Sequence, residues 1–527
     1  MNISGLENLR ENRTGGNEVT NNEQKLPDSP ESFWRDSTEL PSFQELTEDV
    51  KTDVAIIGGG MTGITTAYML TQKGYSVVLI EAGRLLNGTT GHTTAKITAQ
   101  HDLIYDELIQ HIGMPRARLY YEANLQALSF IKNLVHEQNI SCDFKEQDAC
   151  IYTTEEQSVQ KIRKEHEAYQ KLGIERELIK DLPVAIDIKA GLVMKNQAQF
   201  HPLHYLKHLA DAVQKAGGNM FENTVAKEIK EGDHPKVLTK NGHMIISDYV
   251  VCCTHFPFHD KKGFYFARLE PSRSYVLAVK PKTPYPDGMY LSIDQPSRSL
   301  RSVTINGEKM VLVGGESHKT GQGKDTMEHY KALESFAEGV LGIEDIPYRW
   351  STQDLITLDK IPYIGPIYPK EKRILVATGF RKWGMTSSTL AAQLITDHIT
   401  NESNPYQEVF SPSRFHPDPS IKKAISYNTD VARHFVEGKL EQPLRTPDEL
   451  VSGEGAVVRV GGKRAGAYRD ENGQLHMVDT TCTHMGCEVE WNDGEKTWDC
   501  PCHGSRFSID GEVIEGPAVM PLKDPES

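Results

Sequence analysis

Two short boxes rich in cysteine and histidine near the C-terminus constrain this chain more than any other feature. They read C-T-H-M-G-C over residues 482–487 and C-P-C-H-G-S over residues 500–505. The whole chain has only 8 cysteines in 527 residues, which is too few for a disulfide scaffold. In a cytosolic chain, clustered thiols and imidazoles bind metal more often than they form structural disulfides. The two boxes therefore predict a metal centre in a small C-terminal domain.

The spacing of four side chains in these boxes resembles the ligand spacing of Rieske proteins. It reads Cys482-x-His484 and Cys500-x-x-His503, with fifteen residues between His484 and Cys500. In a Rieske [2Fe–2S] centre two thiolates hold one iron and two imidazoles hold the other. A zinc site made of the same four side chains is the alternative, but it leaves the other two cysteines of the boxes unexplained. The resemblance covers about residues 441–527.

The resemblance to Rieske proteins also implies roles for the neighbours of these ligands. Cys487 and Cys502 stand where some family members have a disulfide that braces the cluster loops. Ser505 has the position whose hydroxyl donates to a bridging sulfide, whereas Phe507 replaces the tyrosine of high-potential members. Because that hydroxyl is missing, we expect a reduction potential below the top of the Rieske range of roughly −150 to +300 mV. Residues 516–518, Gly-Pro-Ala, match the loop that covers the cluster.

The charge of the chain is negative and is concentrated in this C-terminal part. Residues 441–527 contain 8 basic and 17 acidic residues, and so carry −9 of the net charge of −15. The excess of acid over base argues against a nucleic-acid-binding protein and against docking on an anionic membrane. An acidic domain is suited to a basic docking face on a partner protein, since complementary charge speeds encounter. Charge that only keeps the domain in solution is the alternative.

A glycine-rich turn near the N-terminus predicts a dinucleotide site. Gly58, Gly60 and Gly63 form G-x-G-x-x-G directly after the apolar segment 53–57 and at the start of a helical pattern. The first glycine permits the tight turn, the second lets a pyrophosphate approach the backbone, and the third lets helix and strand pack closely. Glu81 ends the next strand, where it can accept hydrogen bonds from ribose hydroxyls. A carboxylate at that point disfavours NADP, and an isolated glycine turn is the alternative.

Over roughly residues 50–402 the chain resembles the FAD-dependent D-amino-acid oxidase and glycine oxidase (DadA-like) superfamily. The resemblance implies an α/β FAD-binding Rossmann-type domain with an antiparallel substrate domain, here followed by the C-terminal all-β Rieske domain. The matching segments are DVAIIGGGMTGITTAYML, EAGRLLNGTTGHTTAKIT, NTVAKEI, DKIPYIGP and ILVATGFRKWGMTSS.

The same resemblance, carried over residue by residue, implies where FAD would be bound. The ADP half would contact the glycine turn and Glu81, the stretch from Arg84 through Thr94 would run past the pyrophosphate toward the flavin, and Val225 would contact adenine through its backbone. The turn around Gly384 would approach the ribityl chain and the isoalloxazine; an ordinary strand-to-helix turn is the alternative there. The implied FAD-binding residues are Gly58, Gly60, Thr62, Gly63, Glu81, Arg84, Thr93, Thr94, Val225, Gly379, Gly384 and Met385.

Few residues point to a substrate. Arg273 and Tyr275 lie in EPSRSYVLAV, where an arginine could clamp a carboxylate and a tyrosine hydroxyl could orient it. The alternative is a solvated arginine and a core tyrosine on a strand. His201 and His255 stand near expected domain junctions and could face the flavin, although packed or capping histidines are more common. His92 could attach the flavin covalently, as histidines do in some relatives.

The two cofactors together predict an electron relay. A flavin accepts a hydride, whereas a Rieske cluster passes one electron at a time. We therefore expect a dehydrogenase that oxidises an amine or amino-acid-like substrate and passes electrons through the cluster to an external one-electron acceptor. One alternative is an electron-transfer or redox-sensing protein without small-molecule turnover. Another is a reductase that receives electrons at the Rieske end from a donor protein, although the absence of a second G-x-G-x-x-G argues that such a reductase could not load itself from nicotinamide.

The sequence divides into four parts. Residues 1–45 are predicted to be a flexible leader, and residues 46–404 the FAD-dependent unit, with the antiparallel sheet at about 262–353. Residues 405–440 form a linker and a helix, and residues 441–527 the Rieske domain. The apolar stretch 54–72 contains four glycines and four threonines, so no membrane span is predicted. The N-terminus lacks the apolar core of a secretory signal, and a cytoplasmic location is the default expectation.

Overall fold

The computed structural model describes residues 26–323, 325–440 and 444–525. Strands from distant parts of the chain alternate with helices up to residue 440, and the described residues 444–525 contain strands only, apart from one short 3₁₀ helix. The α-helices are α1 (Phe33–Asp36), α2 (Met61–Gln72), α3 (Tyr105–Ile112), α4 (Met114–Glu137), α5 (Val159–Leu172), α6 (Pro202–Lys215), α7 (Met327–Leu341), α8 (Gly384–Ile399), α9 (Gln407–Phe410) and α10 (Pro417–Leu440). The 3₁₀ helices are Thr89–His92, Glu156–Ser158, Tyr265–Ala267 and Pro447–Glu449. The strands are β1 (Val50–Ile57), β2 (Val77–Ile80), β3 (Lys96–Ile97), β4 (Lys145–Thr153), β5 (Arg176–Ile179), β6 (Ala190–Gln199), β7 (Asn219–Phe221), β8 (Ala226–Lys230), β9 (Lys236–Thr239), β10 (Met244–Cys252), β11 (Leu269–Pro281), β12 (Met289–Ser292), β13 (Arg298–Ile305), β14 (Glu308–Lys319), β15 (Ile343–Thr357), β16 (Tyr363–Pro366), β17 (Ile374–Thr378), β18 (Gly455–Val460), β19 (Lys463–Arg469), β20 (Leu475–Val478), β21 (Glu490–Asn492), β22 (Thr497–Asp499), β23 (Arg506–Phe507) and β24 (Val513–Glu515).

The first sheet carries the glycine-rich turn. Its strand order is β16-β17-β10-β1-β2-β7, and β9 joins β8 to β10. β1 runs parallel to β2 and β10, and β10 runs parallel to β17. Because parallel strands bury both faces, they read as continuous apolar runs, as β2 does with all four residues buried. Ile57 lies beside Cys252 in the register, so the turns that follow β1 and β10 meet at one edge, where α/β sheets bind ligands.

The second sheet has nine strands, in the order β15-β11-β14-β13-β12-β4-β6-β3, with β5 paired to β6. All its pairs are antiparallel except β12 with β4. The sequence predicts the antiparallel sheet at about 262–353, but strands β3 to β6 of the preceding part also belong to it. β4 begins with the polar residues Lys-Glu-Gln-Asp, which hide its strand pattern, and it becomes buried only in its second half.

Residues 26–45, which belong to the predicted flexible leader, pack on the rest of the chain. Phe33 and Trp34 are buried, and the indole Nε1 of Trp34 donates a hydrogen bond to the carbonyl of Thr93 at 2.7 Å. The Ser32 hydroxyl donates to the carbonyl of Gly91 at 2.5 Å. Burial of two large aromatic side chains outweighs the polar composition of this segment. The part of the predicted leader at residues 1–25 lies outside the described residues.

The C-terminal part forms two small antiparallel sheets, β18-β19-β20 and β21-β22-β23-β24. The stretch predicted as linker and helix contains α9 and α10, and α10 packs on the cluster loops, where the Tyr427 hydroxyl donates to the carbonyl of Cys502 at 3.1 Å. Among the residues that the structure describes, no helix is long and apolar enough to cross a membrane.

Candidate functional site

The four predicted cluster ligands lie together at the tips of two loops. The imidazole centroids of His484 and His503 are 5.0 Å apart, and the thiol of Cys482 is within hydrogen-bonding reach of Cys500. The Nδ1 atoms of both histidines are buried and have no hydrogen-bond partner. Buried polar atoms without a partner are rare in proteins. Ligation of iron by these two nitrogen atoms would satisfy both.

Electrostatics favours the ligand form of both histidines. Burial lowers the pKa of His484 to about 4. Burial, together with the nearby His484 and Lys319, lowers the pKa of His503 to about 3. Both imidazoles are therefore neutral near pH 7, which is the form that can donate a lone pair to a metal.

The two remaining cysteines of the boxes are joined to each other. Cys487 and Cys502 form a disulfide, as the resemblance to Rieske proteins implies. The sulfur atoms of Cys487, Cys500 and Cys502 lie within 4.8 Å of one another, but the disulfide removes two of them as metal ligands. The donor set that fits a metal centre is therefore Cys482 and Cys500 with the two histidines.

Two neighbours of the donor set stand where they can affect its reduction potential. The hydroxyl oxygen of Ser505 accepts a hydrogen bond from the amide of Ala518 at 3.0 Å and is close to the thiol of Cys482. The side chain of Phe507 is fully buried and has no donor to offer. Of these two side chains, only Ser505 therefore has a hydroxyl proton to donate to a sulfur atom.

The glycine-rich turn is as tight as the motif requires. Gly58 has φ +107°, and a Cβ placed on it would lie 2.4 Å from the carbonyl oxygen of Cys253. A Cβ on Gly63 would lie 1.9 Å from the carbonyl oxygen of Gly58. Neither position can carry a side chain in this backbone.

The carboxylate of Glu81 is oriented by backbone amides. It accepts hydrogen bonds from the amide of Gly59 at 2.7 Å and from that of Gly83 at 3.0 Å. Burial nevertheless raises the pKa of Glu81 above its usual value. We propose that ribose hydroxyls of the cofactor supply further donors to this carboxylate.

A cavity of about 1080 Å³ extends from this turn along the second sheet. Its volume reaches the upper end of the range for ligand pockets, roughly 300–1,000 Å³, which suits an elongated cofactor with room for a substrate. Most of the predicted FAD-binding residues line it: Gly58, Gly60, Thr62, Glu81, Arg84, Thr93, Thr94, Val225, Gly384 and Met385.

Two of the predicted residues have packing roles in the structure. Gly63 holds helix against strand, as described above. Gly379 has φ +76°, and a Cβ there would meet the Cγ2 atom of Thr357 at 2.3 Å. Gly379 therefore lets the turn after β17 pack on β15, and it is not among the residues that line the cavity.

Arg273, the predicted carboxylate clamp, is committed to protein groups. Its side chain is fully buried, with Nη2 at 3.4 Å from Glu515 and Nε at 3.7 Å from Asp499. Its Nη1 donates to the Ser351 hydroxyl at 2.7 Å. Both carboxylates belong to the C-terminal domain, so the guanidinium joins two parts of the chain and does not line the cavity. The sequence could not show this because the partners lie more than 200 residues away.

The other substrate candidates differ in where they point. Tyr275 lines the cavity, but its hydroxyl is hydrogen-bonded to Nε2 of His318 at 2.9 Å. His201 lines a separate cavity of about 90 Å³ and accepts a hydrogen bond from the amide of His204, as a helix-capping residue does.

His255 and His92 both line the large cavity. The Nε2 atom of His255 is buried without a partner, so this nitrogen is free for a bound molecule.

The C-terminal domain forms part of the cavity wall. Residues 512–519 line it together with Glu495 and Arg506. Phe256 also lines the cavity, and its ring centroid is 6.3 Å from that of His484. The ring of Phe266 lies 6.0 Å from that of His503. The histidine side of the donor set thus faces the domain that carries the glycine turn.

Two of the charged residues that line the cavity were not predicted from the sequence. Asp354 on β15 and Lys382 in the turn before α8 both line it. Asp354 does not stand out in β15, because this strand contains other charged residues, and Lys382 lies inside the segment GFRKWGMTSS that resembles an FAD-binding turn. Only the position of β15 beside that turn, through the pairing of Ile356 with Phe380, brings the two charges into one site.

Known proteins share both halves of this arrangement. The family described as FAD dependent oxidoreductase (DAO) matches residues 53–398, and the family described as Rieske [2Fe-2S] domain matches residues 441–526. A protein named as a Rieske 2Fe-2S iron-sulfur protein, YhfW of Bacillus subtilis (strain 168), is 60% identical over 95% of this chain and 99% of its own length. Gamma-glutamylputrescine oxidoreductase of Escherichia coli (strain K12) is 23% identical over 72% of this chain and 90% of its own length. The structure of glycine oxidase from Geobacillus kaustophilus has a TM-score of 0.59 at 18% identity, covering 69% of this chain and 99% of its own.

Proposed function

Because this chain belongs to the FAD dependent oxidoreductase family and ends in a Rieske [2Fe-2S] domain, we propose that it is a dehydrogenase of amines or amino-acid-like compounds. When bound, FAD supplies an acceptor for a substrate hydride, and the [2Fe–2S] cluster supplies a one-electron carrier. An external one-electron acceptor would then receive the electrons. The relative gamma-glutamylputrescine oxidoreductase is named for an amine-containing substrate, which supports this substrate class.

The observation that carries the proposal is the shared wall between the cavity and the cluster ligands. Residues 512–519 of the C-terminal domain line the same cavity as the glycine turn. Phe256 lines that cavity and also faces His484 at 6.3 Å between ring centroids. If the cluster had no functional connection to the cavity, nothing would require its histidine ligands to lie beside it.

Several residues of the chain would have distinct roles toward the two cofactors. Gly58 and Gly60 would admit the pyrophosphate, and Glu81 would hold the ribose. Phe256 would exclude water between the cavity and the cluster. His484 would hold iron on the side that faces the cavity.

An anaerobic mixing experiment on protein that carries both cofactors tests the proposal. Amines, N-methylglycines and D-amino acids are added in turn, and flavin absorbance and the low-temperature EPR spectrum of the cluster are recorded on the same sample. We expect at least one compound to bleach the flavin and to produce the EPR signal of the reduced cluster.

A variant with the cluster removed serves as the control. Cys500→Ser should abolish the EPR signal while the same compound still bleaches the flavin. Bleaching without cluster reduction in the unaltered protein would contradict the relay. If no compound bleaches the flavin, an electron-transfer or redox-sensing protein without small-molecule turnover becomes the better explanation.

A further inference from the structure

We propose that Asp354 and Lys382 form the substrate-recognition pair of the cavity, and that they bind a zwitterion by its amino group and its carboxylate respectively. This inference rests on the proposed function and names the chemistry of its substrate more closely. Arg273, the residue that the sequence offered for the carboxylate, is already paired with Glu515 and Asp499.

The position of Asp354 is the first argument. Its side chain is buried, with 8% of the residue exposed, and it lines the cavity. Among the described residues, its carboxylate has no ion pair within 4.0 Å and no hydrogen bond. A buried carboxylate without a partner is unfavourable, and burial accordingly raises its pKa to about 7. An amino group placed in the cavity would supply the missing donor.

Lys382 occupies the complementary position. It has surface exposed to the cavity, and its ammonium group donates to the hydroxyl of Ser317. The protein around the cavity still lowers its pKa by desolvation, although Asp354 acts in the opposite direction. A hydroxyl alone does not neutralise an ammonium group, so a carboxylate of the substrate can still pair with it.

The two charges do not satisfy each other. In a close ion pair the pKa of the acid falls and that of the base rises. In the described part of the chain no ion pair within 4.0 Å joins Asp354 to Lys382, and burial keeps the pKa of Asp354 raised and that of Lys382 lowered although each charge acts on the other in the opposite direction. A molecule with one cationic and one anionic group can bridge them.

The floor between the two charges is small and hydroxylated. Ser272 lies beside Asp354 in the pairing of β11 with β15. The hydroxyls of Ser274 and Ser317 are 3.3 Å apart on the neighbouring strands, and both residues line the cavity. These short side chains leave room for a ligand and offer it hydrogen bonds.

Arg381 is a second cation near Asp354 that could take the role of Lys382. It also lines the cavity, but its guanidinium donates to the carbonyl of His101 and its amide donates to the carbonyl of Leu355 at 3.0 Å. These two bonds hold it against the turn. We therefore assign the carboxylate of the substrate to Lys382.

Equilibrium binding to the oxidised, FAD-loaded protein tests the assignment, with flavin absorbance as the readout. The probes are matched sets: D-alanine, ethylamine and propanoate, and N-methylglycine, dimethylamine and acetate. We expect at least one zwitterion to bind more tightly than both its amine and its acid.

Two variants separate the two ends of the probe. Asp354→Asn should weaken binding of the zwitterion about tenfold or more, and it should leave any binding of the acid unchanged. Lys382→Met should weaken the zwitterion by a similar factor without affecting the amine. A lost charge-assisted hydrogen bond accounts for changes of this size. Asp345→Asn on the same strand and Lys372→Met at the opposite end of β17 are the matched controls, and both should bind as the unaltered protein does.

The outcomes distinguish this inference from the proposed function. If no zwitterion binds, or if each amine binds as well as its zwitterion, the assignment of the pair is wrong. If a zwitterion binds through both residues but never bleaches the flavin, the pair stands and the dehydrogenase proposal fails. If compounds bleach the flavin and both variants bind and react normally, the function stands and the pair is wrong.

Discussion

Phe507 is the side chain at which one oxygen atom can change the reduction potential of the cluster. The phenyl ring is fully buried on β23 and donates nothing, whereas the hydroxyl of Ser505 lies beside Cys482. Hydrogen bonds to the sulfur atoms of such a cluster stabilise the reduced state. We therefore expect Phe507→Tyr to raise the potential and Ser505→Ala to lower it. A redox titration followed by EPR measures both changes.

The two variants should move the potential in opposite directions from that of the unaltered protein. A loss of cluster content, checked by iron analysis, would disqualify a variant as a measure of potential. If Phe507→Tyr retains its iron and leaves the potential unchanged, the missing tyrosine hydroxyl is not what sets it. A starting potential among the high-potential respiratory centres would contradict the argument as well.

The second prediction at the residue scale concerns Gly58 in the glycine-rich turn. Gly58→Ala would place a Cβ 2.4 Å from the carbonyl oxygen of Cys253 at φ +107°, so we expect the variant to lose bound FAD. Gly74→Ala is the matched control, because Gly74 also has positive φ, +85°, but no atom within 4 Å of its Cβ position. Both variants carry the backbone strain of about 1–2 kcal/mol, and only the first should lose flavin absorbance after purification. Equal FAD content in the two variants would contradict the role of the turn.

At the scale of elements, a buried ion-pair group joins the C-terminal domain to the second sheet. Arg273 on β11 contacts Asp499 on β22 and Glu515 on β24, and Arg506 contacts both carboxylates from within the domain. Removing one partner of a buried pair costs about 3–5 kcal/mol, because a charge is left without its counterpart. We expect Arg273→Met to lower the free energy of unfolding by an amount of this order in a urea titration.

A surface pair provides the control for this variant. Arg445 contacts Glu454 at 2.7 Å, with both side chains at least one third exposed. Exposed pairs contribute about 0–1 kcal/mol, so Arg445→Met should unfold nearly as the unaltered protein does. If the two variants are equally stable, the buried group does not hold the domain.

The same group makes the stability depend on pH. Burial opposes ionisation of Asp499 and Glu515, but Arg506 and Arg273 hold the pKa of both carboxyls below their usual values of 3.8 and 4.5. A lowered pKa in the folded state stabilises the protein above the unfolded pKa, and the contribution is lost as the pH falls through the folded value. The stability difference between the unaltered protein and Arg273→Met should therefore be constant from pH 7 to about 5 and shrink below about pH 4. A difference that stays constant down to pH 3 would contradict this assignment.

The contrast between local and distant partners explains which elements the sequence could predict. The strand, glycine turn and helix over residues 50–72 follow from the spacing of Gly58, Gly60 and Gly63 along a few turns of chain. The cluster ligands likewise lie in two short boxes. The role of Arg273 depends on Glu515, 242 residues away, and the pairing of β4 with β12 joins segments separated by more than 130 residues. No local sequence pattern indicates such distant contacts. From the sequence alone, an arginine that binds a substrate carboxylate therefore cannot be distinguished from one that joins two domains.

At the scale of the whole molecule, the C-terminal domain is held at several points around the cavity. Gln353 donates to the carbonyl of Gly504 at 3.0 Å, and Nη1 of Arg349 donates to the carbonyl of Gly494 at 2.8 Å. The Tyr330 hydroxyl donates to Glu495 at 2.6 Å. Together with the ion-pair group of Arg273, these contacts place the cluster ligands beside the cavity without a change of domain position. The proposed electron transfer between cavity and cluster would therefore not need a swinging domain.

This fixed arrangement makes a kinetic prediction. In protein that carries both cofactors, flash photoreduction of the flavin should be followed by reduction of the cluster at a rate that does not change as sucrose raises the solvent viscosity. Large domain motions displace solvent, so a rate limited by such motion falls as viscosity rises, whereas transfer across a fixed contact does not. Arg273→Met provides the comparison, because loosening the domain should introduce a viscosity dependence that the unaltered protein lacks. A rate in the unaltered protein that falls in proportion to viscosity would show that the domain must move, and the contacts around Gln353, Arg349 and Tyr330 would then describe only one of its positions.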